Sequence, residues 1–529
     1  MNTQIKYSIR SGRKAIILLF LSILLFGCAV GPEYVPPAKP DLPAFRAEKS
    51  PAVQSKAADL KKWWQVFNDP VLSRLVETAA KENLDLRIAG LRILESRAKL
   101  GIALGGRFPQ QQALRGGWTH TSISKHTANT QPGMDLNYNE AVLGFDAAWE
   151  LDFWGKFRRA VEAGRGSLDA SVAQYDDILV TLTAEVTRTY VQIQTLSARL
   201  AIAHENAVIQ KRTLKVAQAR FQGGYVSELD VSQSKALLNE TLAAIPRLKA
   251  GLIQARNGLA VLLGMLPGEV DAILPSYRPG TIPHVPKEIA VGVPAQLVRR
   301  RPDIRLAERQ LAAQCALIGI AKADLYPSFS LFGSIGLRAS DSNVTYAGFP
   351  KRGALNDIWR SDSVEFMGGP SFSWNIFNYG RIKNNVRVQD ARFQQLAVDY
   401  QNTVQKAVRE VEDALTAFVM AQEELAGLSK SLAAASRSVE LSLVQYREGL
   451  VDFQRVLDTQ RFQTQVQDLL TATQGTVALN LIATYKALGG GWEIRTEGDV
   501  VPEKVKNEMR ARTDWGDLLT PAKQKPKEK

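Results

Sequence analysis

The sequence predicts a membrane α+β protein made by an internal duplication. Three observations carry this. First, residues at a constant separation of 225 match without a gap: Trp149 and Trp374, Gly155 and Gly380, Glu185 and Glu410, Gly224 and Gly449, Val226 and Val451, Val231 and Val456, Leu263-Gly264 and Leu488-Gly489. Second, each copy carries stretches that alternate apolar and polar, the period of strands, followed by apolar positions spaced three and four apart, the period of helices. Third, those helical patterns run far beyond an ordinary globular helix. No apolar run of ~20 residues follows the N-terminal leader, so any membrane crossing would have to be made by strands.

The leader comes first. Lys6, Arg10, Arg13 and Lys14 precede the apolar run 15–26, which is too short to span a bilayer and has the flanks of an export signal. It ends in Leu25-Phe26-Gly27-Cys28, similar to a lipobox, although Phe26 is bulkier than the usual residue there. This predicts a signal peptide over 1–27 and a mature chain beginning at Cys28, carrying an N-acyl and an S-diacylglycerol lipid. The plainer alternative is an ordinary signal with a chance cysteine. The one other cysteine, Cys315, lies in an apolar helical pattern and reads as a small buried residue rather than half of a disulfide. The net charge of +13 falls to +9 once the four leader cations are removed. The remaining charge is scattered, with no basic stripe interleaved with aromatics, so nucleic acid is not an expected partner.

Residues 28–60 are rich in Pro and Ala and read as an extended segment. The first-repeat helices occupy 61–110, with Asp69-Pro70 as a start signal because Pro suits the first helical position. The hairpin 111–152 follows. In its second strand Ala141, Leu143, Phe145, Ala147, Trp149 and Leu151 share one face, opposed to Gly144, Asp146 and Glu150. A helical hairpin spans 155–264 as a long helix over 157–222 and a return helix over 229–263. A linker covers 265–295. The second copy repeats the order: helices over 296–327, a strand hairpin over 328–377 with a polar loop at 339–362, and a helical hairpin over 380–489. The segment 490–529 is a mixed-charge tail whose end, 521–529, is expected to be disordered. Gly223, Gly224 and Gly449 mark the helix turns, because closing a helix commonly needs a left-handed residue. The short helices repeat at a separation of 218, with Leu86-Arg87, Ala103 and Pro109 matching Ile304-Arg305, Ala321 and Pro327.

Four strands with one apolar and one polar face cannot close a barrel alone, so the chain is expected to oligomerise. A soluble sandwich with a coiled-coil stalk is the alternative, and as a function, an adhesive or structural lipoprotein. Catalysis has no footing: the four histidines are scattered, and there is no HExxH, G-x-S-x-G or phosphate-binding loop. No cofactor or metal is expected.

The segments CAVGPEYVPP, VRRRPDIRLAERQLAAQCALIGIAKADLYPSFSL and SWNIFNYGRI resemble the outer-membrane factor family, the TolC-type channels. Within that family they are most similar to the lipoprotein branch serving resistance–nodulation–division efflux pumps. The resemblance covers the mature chain to about Trp492. It implies a homotrimer in the outer membrane, with a twelve-stranded β-barrel continued by a periplasmic α-helical barrel. It also implies a periplasmic adaptor and an inner-membrane pump as partners, and a passive, gated export duct. The helix turns would form the periplasmic gate. Tyr446, Asp458 and Arg461 match gate positions of that branch, and Asp230 matches the acid of the first hairpin. Three copies of Asp458 about one axis would favour cations, and Asp458 and Arg461 could pair at i and i+3. Two departures stand out: the family's hydrophobic constriction residue falls on Gln454, and a further acid and a basic partner fall on Arg455 and Val451. The bland reading is that these are solvated charges at a turn.

Overall fold

The computed structural model describes residues 29–520, apart from 39–44, 47–49, 55, 57–58, 129, 131–132, 275–280, 293–299, 347–348 and 498. The leader, Cys28 and the terminal stretch 521–529 lie outside the described residues. Contacts divide the chain into two units. One holds the described residues up to Pro36 with Ser96–Leu168 and Arg309–Ala397, and the other holds Pro37–Glu95, Asp169–Glu308 and Val398–Lys529.

The main sheet of the first unit is four-stranded and antiparallel, in sequential order: β1 (Gln111–Ser122), β2 (Asn137–Leu151), β3 (Ser328–Ser340) and β4 (Val364–Ser373). Its register keeps the two faces distinct. Leu114 lies opposite Phe145 and Phe145 opposite Ile335, whereas Asp146 lies opposite Ser334. Ion pairs run across the polar face: Arg115 reaches Asp146 at 2.9 Å, and Arg338 reaches Glu140 at 2.8 Å and Glu365 at 3.6 Å. The apolar face is bare, with Leu114 77% and Phe366 84% exposed.

Two expectations need correction. The last strand stops at Ser373, because its partner begins at Ser328, which pairs with Ser373, and beyond that β4 has nothing to bond. Trp374 therefore lies outside the strand, its indole N–H donating to the Leu325 carbonyl at 3.0 Å. The loop 339–362 is also not simply polar coil, since it holds a short hairpin, Asn343–Tyr346 with Phe349–Arg352, and a helical turn, Leu355–Trp359.

Helices account for the rest: α1 (Pro70–Glu82), α2 (Leu84–Gly105), α3 (Lys156–Gln222), α4 (Glu228–Leu262), α5 (Pro302–Ala323), α6 (Arg381–Arg447), α7 (Phe453–Ala487) and α8 (Glu503–Arg512). The helix α1 begins as its sequence requires, with Asp69 accepting from the Val71 and Leu72 amides and Pro70 in the first turn. The long helices α3 and α6 have 67 residues each and their return helices 35 each, so the duplication holds in length as well as in pattern. At 1.5 Å per residue the longer ones span ~100 Å. Apolar residues of these helices pack inward, with Leu179, Val186, Leu415, Phe418 and Leu481 buried. At Gly475 a Cβ would lie 2.4 Å from Thr195 Oγ1, so α3 and α7 approach closely there.

The tail is more ordered than its composition suggests. Val501, Met509 and Leu519 pack with Leu94 of α2, and buried Lys506 is held between Asp499 and Glu503. In the extended N-terminal segment, Val53–Gln54 pairs in parallel with Ile289–Ala290 of the linker.

Candidate functional site

The site grows out of two helix ends. Gly224 and Gly449 have φ of +77° and +74°, the left-handed region where a side chain is strained. Around each, the two carbonyls left open by the helix end are closed in the same way. Tyr225 and Gly224 donate to the Arg220 and Phe221 carbonyls, and Leu450 and Gly449 donate to the Gln445 and Tyr446 carbonyls. Gly223 is different. Its φ is not positive, and its second-copy counterpart is Glu448, so one glycine per turn suffices.

The return helices start at matched positions with exchanged chemistry. In α4 the Asp230 carboxylate accepts from the Ser227 N–H at 3.1 Å and from its hydroxyl at 3.2 Å, closing the helix start. In α7 the acid sits three residues earlier. Asp452 caps the helix by accepting from the Arg455 N–H at 3.1 Å, and Arg455 stands where Asp230 stands in the first copy. A basic residue at 455 is thus accommodated locally, because the cap is supplied by Asp452.

Between the two turns lies a small core of Ala217, Leu237, Tyr446, Phe453, Val456 and Leu457. The Tyr446 ring lies 5.1 Å from Phe453, and the Arg220 guanidinium sits 4.3 Å above it. Tyr446 is therefore buried beside the second turn, held between Phe453 and Arg220. Gln454, Asp458 and Arg461 fall at i, i+4 and i+7 on another face of α7. There Gln454 Nε2 donates to Asp458 Oδ1 at 2.9 Å. The expected pair between Asp458 and Arg461 is not formed, since Gln454, one turn back, engages the carboxylate instead. Asp458, Arg455 and Arg461 are exposed.

The sequence reading missed the polar rungs between α3 and α7. Arg199 reaches Asp468 through two 2.8 Å bonds, Asn206 Nδ2 donates to Gln467 Oε1 at 3.2 Å, and Gln460 Nε2 donates to Thr213 Oγ1 at 3.1 Å. The α3 members fall every seven residues, which was the available signal. Several buried polar atoms on the four long helices have no hydrogen-bond partner: both amide atoms of Gln210 on α3, Ser234 Oγ on α4, the Tyr446 hydroxyl on α6 and Gln460 Oε1 on α7.

Farther along the helices the motif RRRPDIR builds a second charged cluster. Arg301 is buried and bonds Asp303, Glu410 at 2.7 Å and the Ala487 carbonyl at 2.7 Å. Asp176 is fully buried against Arg495 at 2.5 Å and Arg305 at 3.5 Å, and burial still pushes its carboxyl up. Asp177 is pushed up to about 6, first by burial and then by the like charge of Asp303. Cys315 is buried, with its Sγ 3.7 Å from the Pro32 carbonyl, as its surroundings in the sequence suggested. Among the described residues no group of acids, histidines and cysteines could hold a metal.

A duplicated hairpin sheet with one polar face, joined in each copy to paired helices closed by a glycine turn, defines a subunit of an outer-membrane export channel. The chain belongs to the outer membrane efflux protein family, whose model matches residues 75–265 and 293–490. It is 29% identical over 479 residues to Nodulation protein T of Rhizobium leguminosarum bv. trifolii, covering 89% of this chain and 96% of that one. It is 30% identical over 481 residues to the solvent efflux pump outer membrane protein SrpC of Pseudomonas putida, covering 90% and 98%. The solved outer-membrane channel OprN shares the fold with a TM-score of 0.79 at 32% identity, over 88% of this chain and all of that one. This membership makes the protein an efflux channel subunit, not an enzyme, and sets aside the adhesive stalk.

Proposed function

We propose that three copies of this chain form one passive, gated duct that exports drugs or other small compounds from the periplasm. Each copy contributes β1–β4 to a twelve-stranded barrel in the outer membrane, and its helical hairpins to a periplasmic helical barrel. The observation that carries this is the sheet: four strands, an apolar face left bare, a polar face laced with ion pairs, and two unpaired edges. Among the described residues no helix is long and apolar enough to cross a membrane. A sheet with open edges cannot sit in lipid, so the edges must close on further copies.

Cys28, diacylated and N-acylated, would anchor each copy. An inner-membrane resistance–nodulation–division pump would supply the drive and a periplasmic adaptor would engage the helical tip, in line with relatives named as parts of solvent and cation efflux systems. Asp458, exposed on α7 and away from the tip core, would ring the closed end. The test is reconstitution into planar bilayers, with the expectation of discrete ion-conducting steps from a species that runs as a trimer unless heated. Purified protein that inserts without conducting would overturn the reading. Lipid labelling that survives Cys28→Ser would overturn the anchor.

A further inference from the structure

A cavity of ≈ 530 Å³ lies wholly within the second unit, inside the ~300–1,000 Å³ range of small-molecule sites. Four separate stretches wall it: the segment just before α1, the elbow between α1 and α2, the first third of α3, and the tail beyond Trp492. Its floor is apolar, made by the buried side chains of Trp64, Leu86 and Leu179 and the ring of Tyr175. The walls are set without a ligand. Asn83 holds the elbow, its side chain accepting from the Leu86 N–H at 2.9 Å and donating to the Leu262 carbonyl at 3.0 Å. The tail is seated against α2 at Gly90, where any Cβ would run into the Val500 carbonyl oxygen. A preformed site spares a ligand the cost of ordering its walls.

The rim decides what chemistry fits above that floor. Four of the charged lining residues are cations and three are acids. Two of the acids are already engaged, Glu82 by Arg87 Nη2 at 3.3 Å and Asp499 by the buried Lys506. Arg495 is spent on Asp176. That leaves donors in surplus. Arg87 makes no hydrogen bond beyond Glu82 among the described residues, so its other terminal nitrogen is unused. Lys81, exposed on the last turn of α1, makes no ion pair among them. The Tyr175 hydroxyl has no partner among them either, and burial pushes the phenol up to about 12, so it stays a donor at neutral pH. The third acid, Glu77, sits exposed one turn before Lys81 on α1.

We propose that this cavity binds a small carboxylate amphiphile, its head on Arg87 and Lys81 and its apolar body over Trp64, Leu86 and Leu179. An uncharged apolar ligand would cover Arg87 without pairing it, and a cationic one would meet like charge. A head with a single negative charge suits the rim better than a dianionic phosphate, because Glu82 and Glu77 stand close to the two cations. A ligand held there touches α1, α2, α3 and the tail at once. Its binding therefore stabilises the folded chain and pins the tail to the helices. The site lies within one chain, so its occupancy does not depend on the channel reading.

The test uses the purified full chain in amphipol and dodecanoate carrying a photoactivatable diazirine at its far end. After irradiation, peptide mapping is expected to place saturable label on peptides that hold Trp64, Leu86 or Leu179. Unlabelled dodecanoate should displace it at lower concentration than dodecyl phosphate or dodecyltrimethylammonium. Arg87→Gln is expected to raise the half-saturating concentration about ten-fold, the loss of one hydrogen bond to a charged group. Glu77→Gln should lower it or leave it unchanged. Ala80→Phe, which drives a ring into the cavity from α1, should remove the label. The Arg87 side chain is 28% exposed, so Arg87→Gln keeps the test decisive where the filled variant does not fold. Dodecanoate should also raise the melting temperature of the parent chain, and by less in Arg87→Gln. The proposal is overturned by label that is unchanged in Arg87→Gln, by label that either competitor displaces as well as dodecanoate does, or by label confined to other peptides.

Discussion

Arg199 of α3 grips Asp468 of α7 through two parallel hydrogen bonds of 2.8 Å, tying the long helix of the first copy to the return helix of the second. The pair lies on the same two helices as the tip and is partly exposed, so it contributes ~0.5–1 kcal/mol. Asp468→Asn or Arg199→Ala is expected to raise the resting conductance of the channel two- to five-fold. The double variant should add little beyond either single one, because both remove the same interaction.

Gln210 predicts the opposite direction. Its amide is buried with neither atom bonded, a cost of ~1–3 kcal/mol that an apolar residue of similar volume would not carry. Gln210→Leu is expected to stabilise the closed tip, raising thermal stability and lowering resting conductance, as measured by melting and by bilayer recording.

Asp458→Ala is expected to increase resting conductance and to weaken cation preference, read as a reversal potential under a salt gradient. Gln454→Leu leaves the carboxylate in place but removes its hydrogen bond. That variant should shift conductance while keeping cation preference.

Gly449→Ala tests the turn itself. A Cβ there would meet nothing within 4 Å, so its cost is backbone strain alone, ~1–2 kcal/mol. Gly223→Ala would crowd the exposed Tyr225 ring, which is free to turn aside, and otherwise makes ordinary contact with the Ala219 carbonyl, so it should cost much less. Comparing heat-dissociation temperatures of the two variants checks the difference.

Asp177 makes stability depend on pH. Its folded carboxyl titrates at about 6, above the ~3.9 of an unfolded aspartate. Its protonation therefore contributes stability that is fully present below pH ~3.9 and is lost as pH rises through about 6. Asp177→Asn is expected to flatten the change in melting temperature between pH 4.5 and 7.5 and to be neutral or stabilising at the upper end.

The glycine turns and the long helices were legible because their signals are local. Apolar spacing and a glycine at each end place α3 and α6 within a residue or two of where they lie. The end of β4 was not, because alternation continues through Trp374 and Ile376 after the partner strand has run out. The tip core was legible only as a turn. Tyr446 gains its role from Arg220 and Phe453, and Arg220 lies on the other hairpin. The expected Asp458–Arg461 pair ranked spacing above competition, and a neighbouring amide took the carboxylate. In the tail, net polarity hid Val501, Met509 and Leu519, whose burial depends on α2 being in place.

The equal lengths of the paired helices bear on how such a chain can change over time. With 67 and 35 residues in each copy and left-handed glycines at matched ends, a heptad inserted into one long helix would carry its turn past the other and split the shared core around Tyr446. Lineages that lengthen or shorten this duct must therefore edit both copies together. Surviving length variants should differ by matched pairs of insertions, while the loops between the strands are free to drift singly.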